Sequence, residues 1–387
     1  MILKTTSTDC SVRILIALST SLEKDIAFSQ RALELAQLGV GLVSPGPLVG
    51  CVIVSSEGEV VGEGSYVKDD ITHAEVIALN KAGGKTHGGT AYVSLEPHAH
   101  FGKTPPCTDA LIKAGISRVV APIEDPNPLV SGNGFNQLRA AGIEVTTGLL
   151  KEEAFRVNEK FICWHKKGRP FVHLKLAMSL DGRISLKNSV STALSGDAAR
   201  QRVQQIRHEH DAILIGGNTA AVDDPSLTDR SGLGRRRPLT RVILDNALRL
   251  PTNGKLASTT SEAPVIVFTN NIDVTKVSPL QEKGVEIIAI DGGARNLNGV
   301  LEKLSSLEIQ SVLVEGGTAV AGAFIDAGLV DKVTLIISPI IIGGTEAPNA
   351  IGGKGIEHIA DANRLSNIEI TRFGDDIEIT GYPIQKT

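Results

Sequence analysis

Apolar positions along the chain switch repeatedly between helical and strand-like spacing, and the switches mark the elements. Over residues 27–36, AFSQRALELA sets Phe28, Ala32, Leu35 and Ala36 on one helical face. A Gly- and Pro-rich turn follows, and residues 49–54 and 60–61 read as two strands flanking Ser56-Glu57-Gly58. Helical spacing returns over 73–80, a strand over 90–95 ends at Glu96-Pro97, and residues 106–112 open a helix with proline just outside it. Short strands at 119–121 and 143–145 complete an α/β pattern that ends near residue 150.

KEEAFRVNEKFICWHKKG, residues 151–168, reads as a helix followed by a basic connector, after which the pattern restarts at Phe171. Strands are predicted at 211–217, 241–245, 263–270, 285–290, 311–317 and 332–341, with helical stretches between them. The expected organisation is an N-terminal extension (1–22), a first α/β domain (23–150), a linker helix and connector (151–168) and a larger second α/β domain (169–387). No internal repeat relates the two domains.

Composition narrows the partners. A length of 387 residues calls for two or three domains, and 42% hydrophobic with 21% charged residues describes a folded chain. Lys+Arg at 39 against Asp+Glu at 43 leaves −4, which removes the simplest case for coating a polyanion. Aromatics at 3% leave little surface for stacking bases, so a small ligand is expected rather than nucleic acid. Four cysteines, Cys10, Cys51, Cys107 and Cys163, are too sparse for a disulfide scaffold and imply a reducing compartment. The apolar run at 14–18 is shorter than a signal-peptide core, and no later run reaches the ~20 residues of a membrane span. A cytoplasmic protein with no membrane partner is the expectation.

Three short segments carry metal chemistry: His73-Ala74-Glu75, Glu96-Pro97-His98 and Pro105-Pro106-Cys107. Imidazole and thiolate side chains from them suit zinc with its fourth position open to water, and a carboxylate such as Glu75 suits proton transfer. Taken singly, each has a blander reading. His73 starts a helix, Cys107 is a small buried hydrophobe, and His98 and His100 lie on a polar loop.

In the second domain, RPFVHLKLAMSLDGRIS sets Lys175 and Asp181 around a strand and its turn, and GGNTAAVDDPSLTDR crowds polar groups after an apolar strand. Arg207 and Arg230 are candidates for holding a phosphate, and VEGGTAVAGAF offers glycines and a helix start for another. The plain alternatives are a core strand at DAILIGG, a cap or solvent-facing pair at Asp223-Asp224, and a tight bend at Glu-Gly-Gly. No GxGxxG fingerprint is present.

Taken together, RALELAQLGVGLVSPGPLVGCVIV, GEVVGEG, HAEVIAL and YVSLEPHAHFGKTPPCTDALI resemble the cytidine-deaminase-like fold. More narrowly, they resemble the N-terminal half of the bifunctional riboflavin-biosynthesis deaminase/reductase family. DAILIGGNTAAVDDPSLTDR, RVILDNALRLP and LVEGGTAVAGAFIDAGLVDKV resemble that family's reductase domain, whose fold is similar to dihydrofolate reductase. The resemblance implies a three-layer zinc domain followed by a dihydrofolate-reductase-like α/β domain, within an α/β chain.

It implies zinc on His73, His98 and Cys107, with Glu75 as the catalytic proton carrier. It implies NADPH along Ala177, Thr219, Asp223, Gly317, Thr318, Ala319, Val320, Ala321, Gly322 and Ala323. The substrate, a phosphoribosylaminopyrimidine, would lie along Ser191, Arg207, Leu227, Arg230 and Glu315, in a homo-oligomer. The implied reactions are removal of an exocyclic amine and NADPH reduction of the ribosylamino group to a ribitylamino chain. Three positions depart from the family: His98 for a cysteine, Gly46 in a Pro-Asn-Pro motif, and Ala193-Leu194-Ser195 where a Trp-Ile-Thr/Ser setting is usual. The alternatives are a reductase with an impaired deaminase domain, or a non-catalytic nucleotide-binding or assembly protein.

Overall fold

The computed structural model describes residues 20–68, 72–101, 105–128, 130–187 and 192–384; Ser191, Cys10 and the apolar run at 14–18 lie outside them. The chain divides into two compact units between Lys166 and Lys167. No helix among the described residues is long and apolar enough to cross a membrane.

The first unit contains α1 (Ser21–Gln37), β1 (Gly50–Val54), β2 (Val60–Ser65), α2 (Ala74–Ala82), β3 (Thr90–Val93), α3 (Cys107–Lys113), β4 (Arg118–Ala121), α4 (Asn133–Ala140), β5 (Glu144–Thr147), α5 (Lys151–Val157) and α6 (Glu159–Lys167). Its sheet runs β2-β1-β3-β4-β5, with β1 antiparallel to both neighbours and β3, β4 and β5 mutually parallel. Helix α1 starts at a capping box, Thr20 and Glu23 each satisfying the other's backbone N–H.

Strand β1 is buried throughout, and its two faces feed two cores. Cys51 and Ile53 pack with Ala74, Ala78 and Leu111, whereas Val52 and Val54 pack with Phe28, Ala32 and Leu35. Helices on both faces of one sheet make the three layers. The layer carrying α2 is unusually close: a Cβ at Gly64 would lie 2.0 Å from the Ala74 carbonyl oxygen, and one at Gly62 2.0 Å from that of Ala78. Bare backbone on β2 therefore seats α2 and sets the position of its first turn.

The stretch expected as one helix and a basic connector is two helices broken at Asn158. The Asn158 side chain accepts from Leu48 N–H at 2.8 Å and donates to Leu48 C=O at 2.9 Å, so it bonds the preceding loop. Helix α6 carries on through the basic residues.

The second unit contains β6 (Phe171–Ser179), α7 (Asp197–His208), β7 (Ala212–Gly216), α8 (Gly217–Asp223), β8 (Thr240–Leu244), α9 (Lys255–Ser258), β9 (Val265–Thr269), α10 (Val274–Glu282), β10 (Glu286–Ala289), α11 (Leu297–Ser306), β11 (Ser311–Val314), α12 (Thr318–Asp326), β12 (Lys332–Ser338), β13 (Leu365–Phe373) and β14 (Asp376–Pro383). The sheet order is β10-β9-β8-β7-β11-β6-β12-β14-β13; the strands from β10 to β12 are parallel and the last two antiparallel. Alternate residues of β7 again serve different cores: Ala212 and Leu214 face α11 and α12, and Ile213 and Ile215 face α8 to α10. Winding reverses between β7 and β11, which opens a crevice at their carboxyl ends. The β13–β14 hairpin is absent from the sequence expectation because β13 leaves most of its residues in solvent and so lacks a one-sided apolar pattern.

Gly64→Ala is expected to destabilise the chain by about 1–3 kcal/mol through overpacking and to displace His73 and Glu75. Urea unfolding followed with zinc content checks it. A variant with wild-type stability and metal content would contradict the tight seating of α2.

Candidate functional site

The first unit converges His73, His98 and Cys107. One nitrogen of each imidazole and the Cys107 sulfur all lie within 4.8 Å of one another, and the two rings are 4.4 Å apart at their centroids. His73 is the N-cap of α2 and Cys107 the first residue of α3, so both stand where helix backbone N–H groups favour negative charge. Thr108 ties the second segment to the third: its N–H donates to the His98 carbonyl at 3.3 Å, and its hydroxyl donates to Gln137 at 2.8 Å.

Electrostatics here suit a cation. Burial, together with neighbouring His73 and His100, holds His98 down to about 4, so its imidazole is neutral and ready to ligate at neutral pH. Burial and then the Glu75 carboxylate push the Cys107 thiol far above its usual range, and a thiolate in that setting calls for a positive partner. Glu75 is buried, and its Oε2 has no hydrogen-bond partner among the described residues. An orphaned carboxylate oxygen beside two imidazoles and a thiol fits a zinc ion with an adjacent proton acceptor.

Glu96, two residues before His98, has a different task. Its Oε2 accepts from the N–H groups of Asp125 and Gly132, both at 2.9 Å, and its Oε1 from those of Gly134 (2.8 Å) and Phe135 (3.2 Å). One buried carboxylate thus closes the loop before α4. Gly46 follows the loop after α1, where a Cβ would stand 3.0 Å from the Val43 carbonyl oxygen and 3.5 Å from the Tyr66 ring. Tyr66 in turn packs 5.2 Å from His73.

In the second unit a cleft of about 1130 Å³ lies along the carboxyl ends of β6, β11, β7 and β8. A buried ion triad stands on its β6–β11 side. Arg207 donates to both oxygens of Glu315 at 2.8 and 3.0 Å, and Lys175 Nζ is 3.8 Å from the same carboxylate. Burial alone would raise Glu315, but Lys175 and Arg207 together hold its carboxyl down to about 2. Burial lowers Lys175 more than Glu315 raises it.

Of the residues expected along the cofactor, Ala177, Thr219, Asp223, Gly317, Thr318, Ala319, Val320 and Ala323 line this cleft. Ala321 and Gly322 turn away: Ala321 belongs to the core, and a Cβ at Gly322 would lie 2.3 Å from Gly352. Of those expected along the substrate, Glu315 lines the cleft, Leu227 is buried in the core, and Arg230 is exposed with its backbone N–H on Gln204. Arg207 also donates to Thr228 C=O at 3.2 Å, which joins α7 to the loop after α8.

Adjacent Asp223 and Asp224 divide their roles. Asp224 accepts from Lys255 N–H at 2.7 Å at the start of α9, while Asp223 faces the cleft. Asp181 accepts from Ser179 and from the N–H groups of Ile342 and Gly343, a turn closure that holds its carboxyl below the ordinary range. The Ala193-Leu194-Ser195 segment lines the cleft without an aromatic wall.

A deaminase-type zinc unit joined to a second α/β unit with a ligand cleft is the class that fold and site define. The family model for the cytidine and deoxycytidylate deaminase zinc-binding region matches residues 22–122, and that for the RibD C-terminal domain matches residues 170–379. The riboflavin biosynthesis protein RibD of Bacillus amyloliquefaciens is 41% identical over 357 residues, covering 92% of this chain and 95% of its own. RibD of Acinetobacter baumannii superposes with a TM-score of 0.85 at 36% identity, over 94% of this chain and 100% of that one. The diaminohydroxyphosphoribosylaminopyrimidine deaminase/5-amino-6-(5-phosphoribosylamino)uracil reductase of Thermotoga maritima gives 0.83 at 35%, with the same coverage. The chain belongs to the RibD family of bifunctional riboflavin-biosynthesis deaminase/reductases.

Two outcomes are expected. His98→Ala and Cys107→Ser should each weaken zinc binding by more than about 100-fold, the upper end for an outer-shell change, read by chelator competition. Glu315 is held at about 2 against an ordinary 4.5, so its stabilisation is full above pH 4.5 and is lost as pH falls through 2. Glu315→Gln should flatten the stability–pH curve over that window. It should also cost about 3–5 kcal/mol at pH 7, because it leaves two buried cations without their anion. Denaturant unfolding across the pH range reads both.

Proposed function

We propose that this chain catalyses two successive steps of riboflavin synthesis: hydrolytic deamination of 2,5-diamino-6-hydroxy-4-(5-phosphoribosylamino)pyrimidine in the first unit, then NADPH-dependent reduction of 5-amino-6-(5-phosphoribosylamino)uracil in the second. The observation that carries the reading is the convergence of His73, His98 and Cys107 within 4.8 Å beside the orphaned Glu75 carboxylate. His98 supports it in particular, because its imidazole reaches the ligand cluster from the position where the family has cysteine.

His73, His98 and Cys107 would hold zinc. Zinc, when bound, supplies Lewis-acid activation of water. Glu75 accepts a proton from the attacking water and returns protons to the ring nitrogen and the departing amine, so that water and amine become carbonyl and ammonia. Its burial keeps bulk water from diverting that proton.

In the second unit, NADPH, when bound, would supply a hydride to the anomeric carbon of the ribosylamino group, which becomes the CH2 attached to nitrogen as its bond to the ring oxygen breaks. Lys175, with its pKa lowered by burial, holds the proton that the released ring oxygen takes up as a hydroxyl. Glu315 and Arg207 fix the Lys175 ammonium in position. Asp223 faces the same space and orients the nicotinamide side. The N–H groups opening α12, beside the side-chain-free Gly317, donate to the cofactor's phosphates.

Ammonia release and NADPH loss, measured separately on zinc-loaded protein, test the reading. Ammonia should appear from the diaminopyrimidine without NADPH, and NADPH should be consumed when the deaminated substrate is supplied. Glu75→Gln should lower ammonia release by about 10²- to 10⁴-fold and leave NADPH oxidation unchanged. NADPH oxidation without any ammonia would leave a reductase with a structural first unit, and neither activity would leave a nucleotide-binding protein.

A further inference from the structure

Helix α7 ends without a glycine: after His208 the chain runs through Glu209, His210 and Asp211 straight into β7. A helix end leaves carbonyl groups that no later helix N–H reaches. Arg235, from the loop between α8 and β8, takes them up. Its Nη1 donates to Arg207 C=O at 3.2 Å and to His208 C=O at 2.9 Å, and its Nη2 to His210 C=O at 2.7 Å. A cation at this end also meets the negative pole of the helix dipole.

The same guanidinium closes a ring. Its Nη1 donates as well to Asp229 Oδ2 at 3.1 Å, and its Nε to Arg237 C=O at 3.1 Å. Asp229 Oδ2 also lies 2.9 Å from His208 Nδ1, and Oδ1 accepts from Ser231 N–H at 2.9 Å. The Arg235 and Asp229 side chains are 14% and 5% exposed, so this is no solvated surface pair. One residue earlier, Thr228 C=O accepts from Arg207 Nη1 at 3.2 Å. The last turn of α7 and the loop after α8 are therefore joined twice, by the Arg207 side chain on the loop backbone and by the Arg235 side chain on the Arg207 backbone. The loop needs holding: Leu227, just before Thr228, is buried at φ +49°, a left-handed backbone that leucine rarely adopts.

What the ring fixes is Arg207. That guanidinium meets Glu315 at 2.8 and 3.0 Å, and the Glu315 carboxylate stands 3.8 Å from Lys175 Nζ. Arg235 does not line the cleft, so any influence it has on the reaction passes through Arg207. The charged groups that act on Lys175 are Glu315 from β11, Arg207 from α7 and Glu378 from β14. Arg207 is the one cation of the three. Its displacement would remove the charge that favours the neutral amine and leave both carboxylates in place.

We propose that Arg235 is a positioning residue for the reduction: by bonding the last carbonyls of α7 and the Asp229 carboxylate at once, it holds Arg207 against Glu315 and keeps the Arg207–Glu315–Lys175 triad in register. The inference rests on the reductase reading of the second unit. Arg237, two residues on, gives the contrast. Its Nη2 donates to Glu308 C=O at 3.0 Å and lies 3.9 Å from Asp211 Oδ1, so it braces the same loop by other contacts.

NADPH oxidation by the full chain with 5-amino-6-(5-phosphoribosylamino)uracil, followed across neutral and alkaline pH, decides it for wild type, Arg235→Gln, Arg235→Lys and Arg237→Gln. Arg235→Gln should lower kcat by about 10- to 100-fold, the scale of a misplaced reacting group, with KM for NADPH unchanged. The alkaline limb of its kcat profile should move to higher pH, because Lys175 without Arg207 beside it keeps its proton longer. Arg235→Lys keeps the charge without the fork, and should recover part of kcat with a limb between the two. Arg237→Gln should leave the limb where wild type has it. Circular dichroism and ammonia release check that each variant is folded, and if Arg235→Gln is not, the intermediate limb of Arg235→Lys carries the comparison. An unmoved limb in the Arg235 variants, an equal shift in Arg237→Gln, or a loss confined to KM for NADPH overturns the proposal. Wild-type protein that oxidises no NADPH would defeat the reductase reading itself.

Discussion

A helix backbone can lie directly on a strand backbone only where the strand offers no side chains, and the chemistry of the first unit depends on that approach. Gly62 and Gly64 face α2 from one side of β2, and Ala74 and Ala78, one turn apart, present carbonyl oxygens to them. The first turn of α2 is thereby fixed in height over the sheet, and the first turn carries His73 and Glu75. Gly50 does the same under α1, where a Cβ would fall 2.1 Å from the Ala32 carbonyl oxygen. Packing and chemistry are one constraint here: a methyl group on the strand would move a metal ligand.

The second unit reaches its site by another route. Its parallel strands deliver their carboxyl ends to one edge, and two windings diverge from β7 and β11, so the crevice follows from topology. Side chains then furnish it. The Arg207–Glu315 pair joins α7 to β11, and Lys175 adds β6, so three elements agree on the position of one buried carboxylate. Such a group is stable only while every partner is present, which makes that side of the cleft rigid by electrostatics where the first unit is rigid by contact.

The order of elements and both α/β units were legible in the sequence because buried strands such as β1 and β7 are apolar and bounded by glycine. The three metal-site segments were legible through residue type and spacing. What escaped had physical reasons. Asn158 breaks a helix by bonding a loop far away in sequence, and the exposed β13 has no core face to betray it. Asp223 and Asp224 are chemically identical neighbours, and only the fold shows that one caps α9 while the other meets the cleft. Leu227 and Ala321 carry expected roles yet pack into cores, since family position alone does not say which way a side chain turns.

Glu96 shows how such a design distributes freedom to change. Its carboxylate gathers N–H groups from both ends of the loop before α4, from Asp125 on one side and from Gly132, Gly134 and Phe135 on the other. The loop is closed by a side chain outside it and braced within by turns of its own, the N–H groups of Val130 and Ser131 both donating to Asn127 C=O at 2.9 Å. Closure entropy grows only slowly with length, by about 0.6 kcal/mol per doubling. A change of length between residues 126 and 131 would therefore cost little closure entropy and disturb only the inner turns at Asn127, while the two anchored ends and the histidine two residues beyond Glu96 stay where they are.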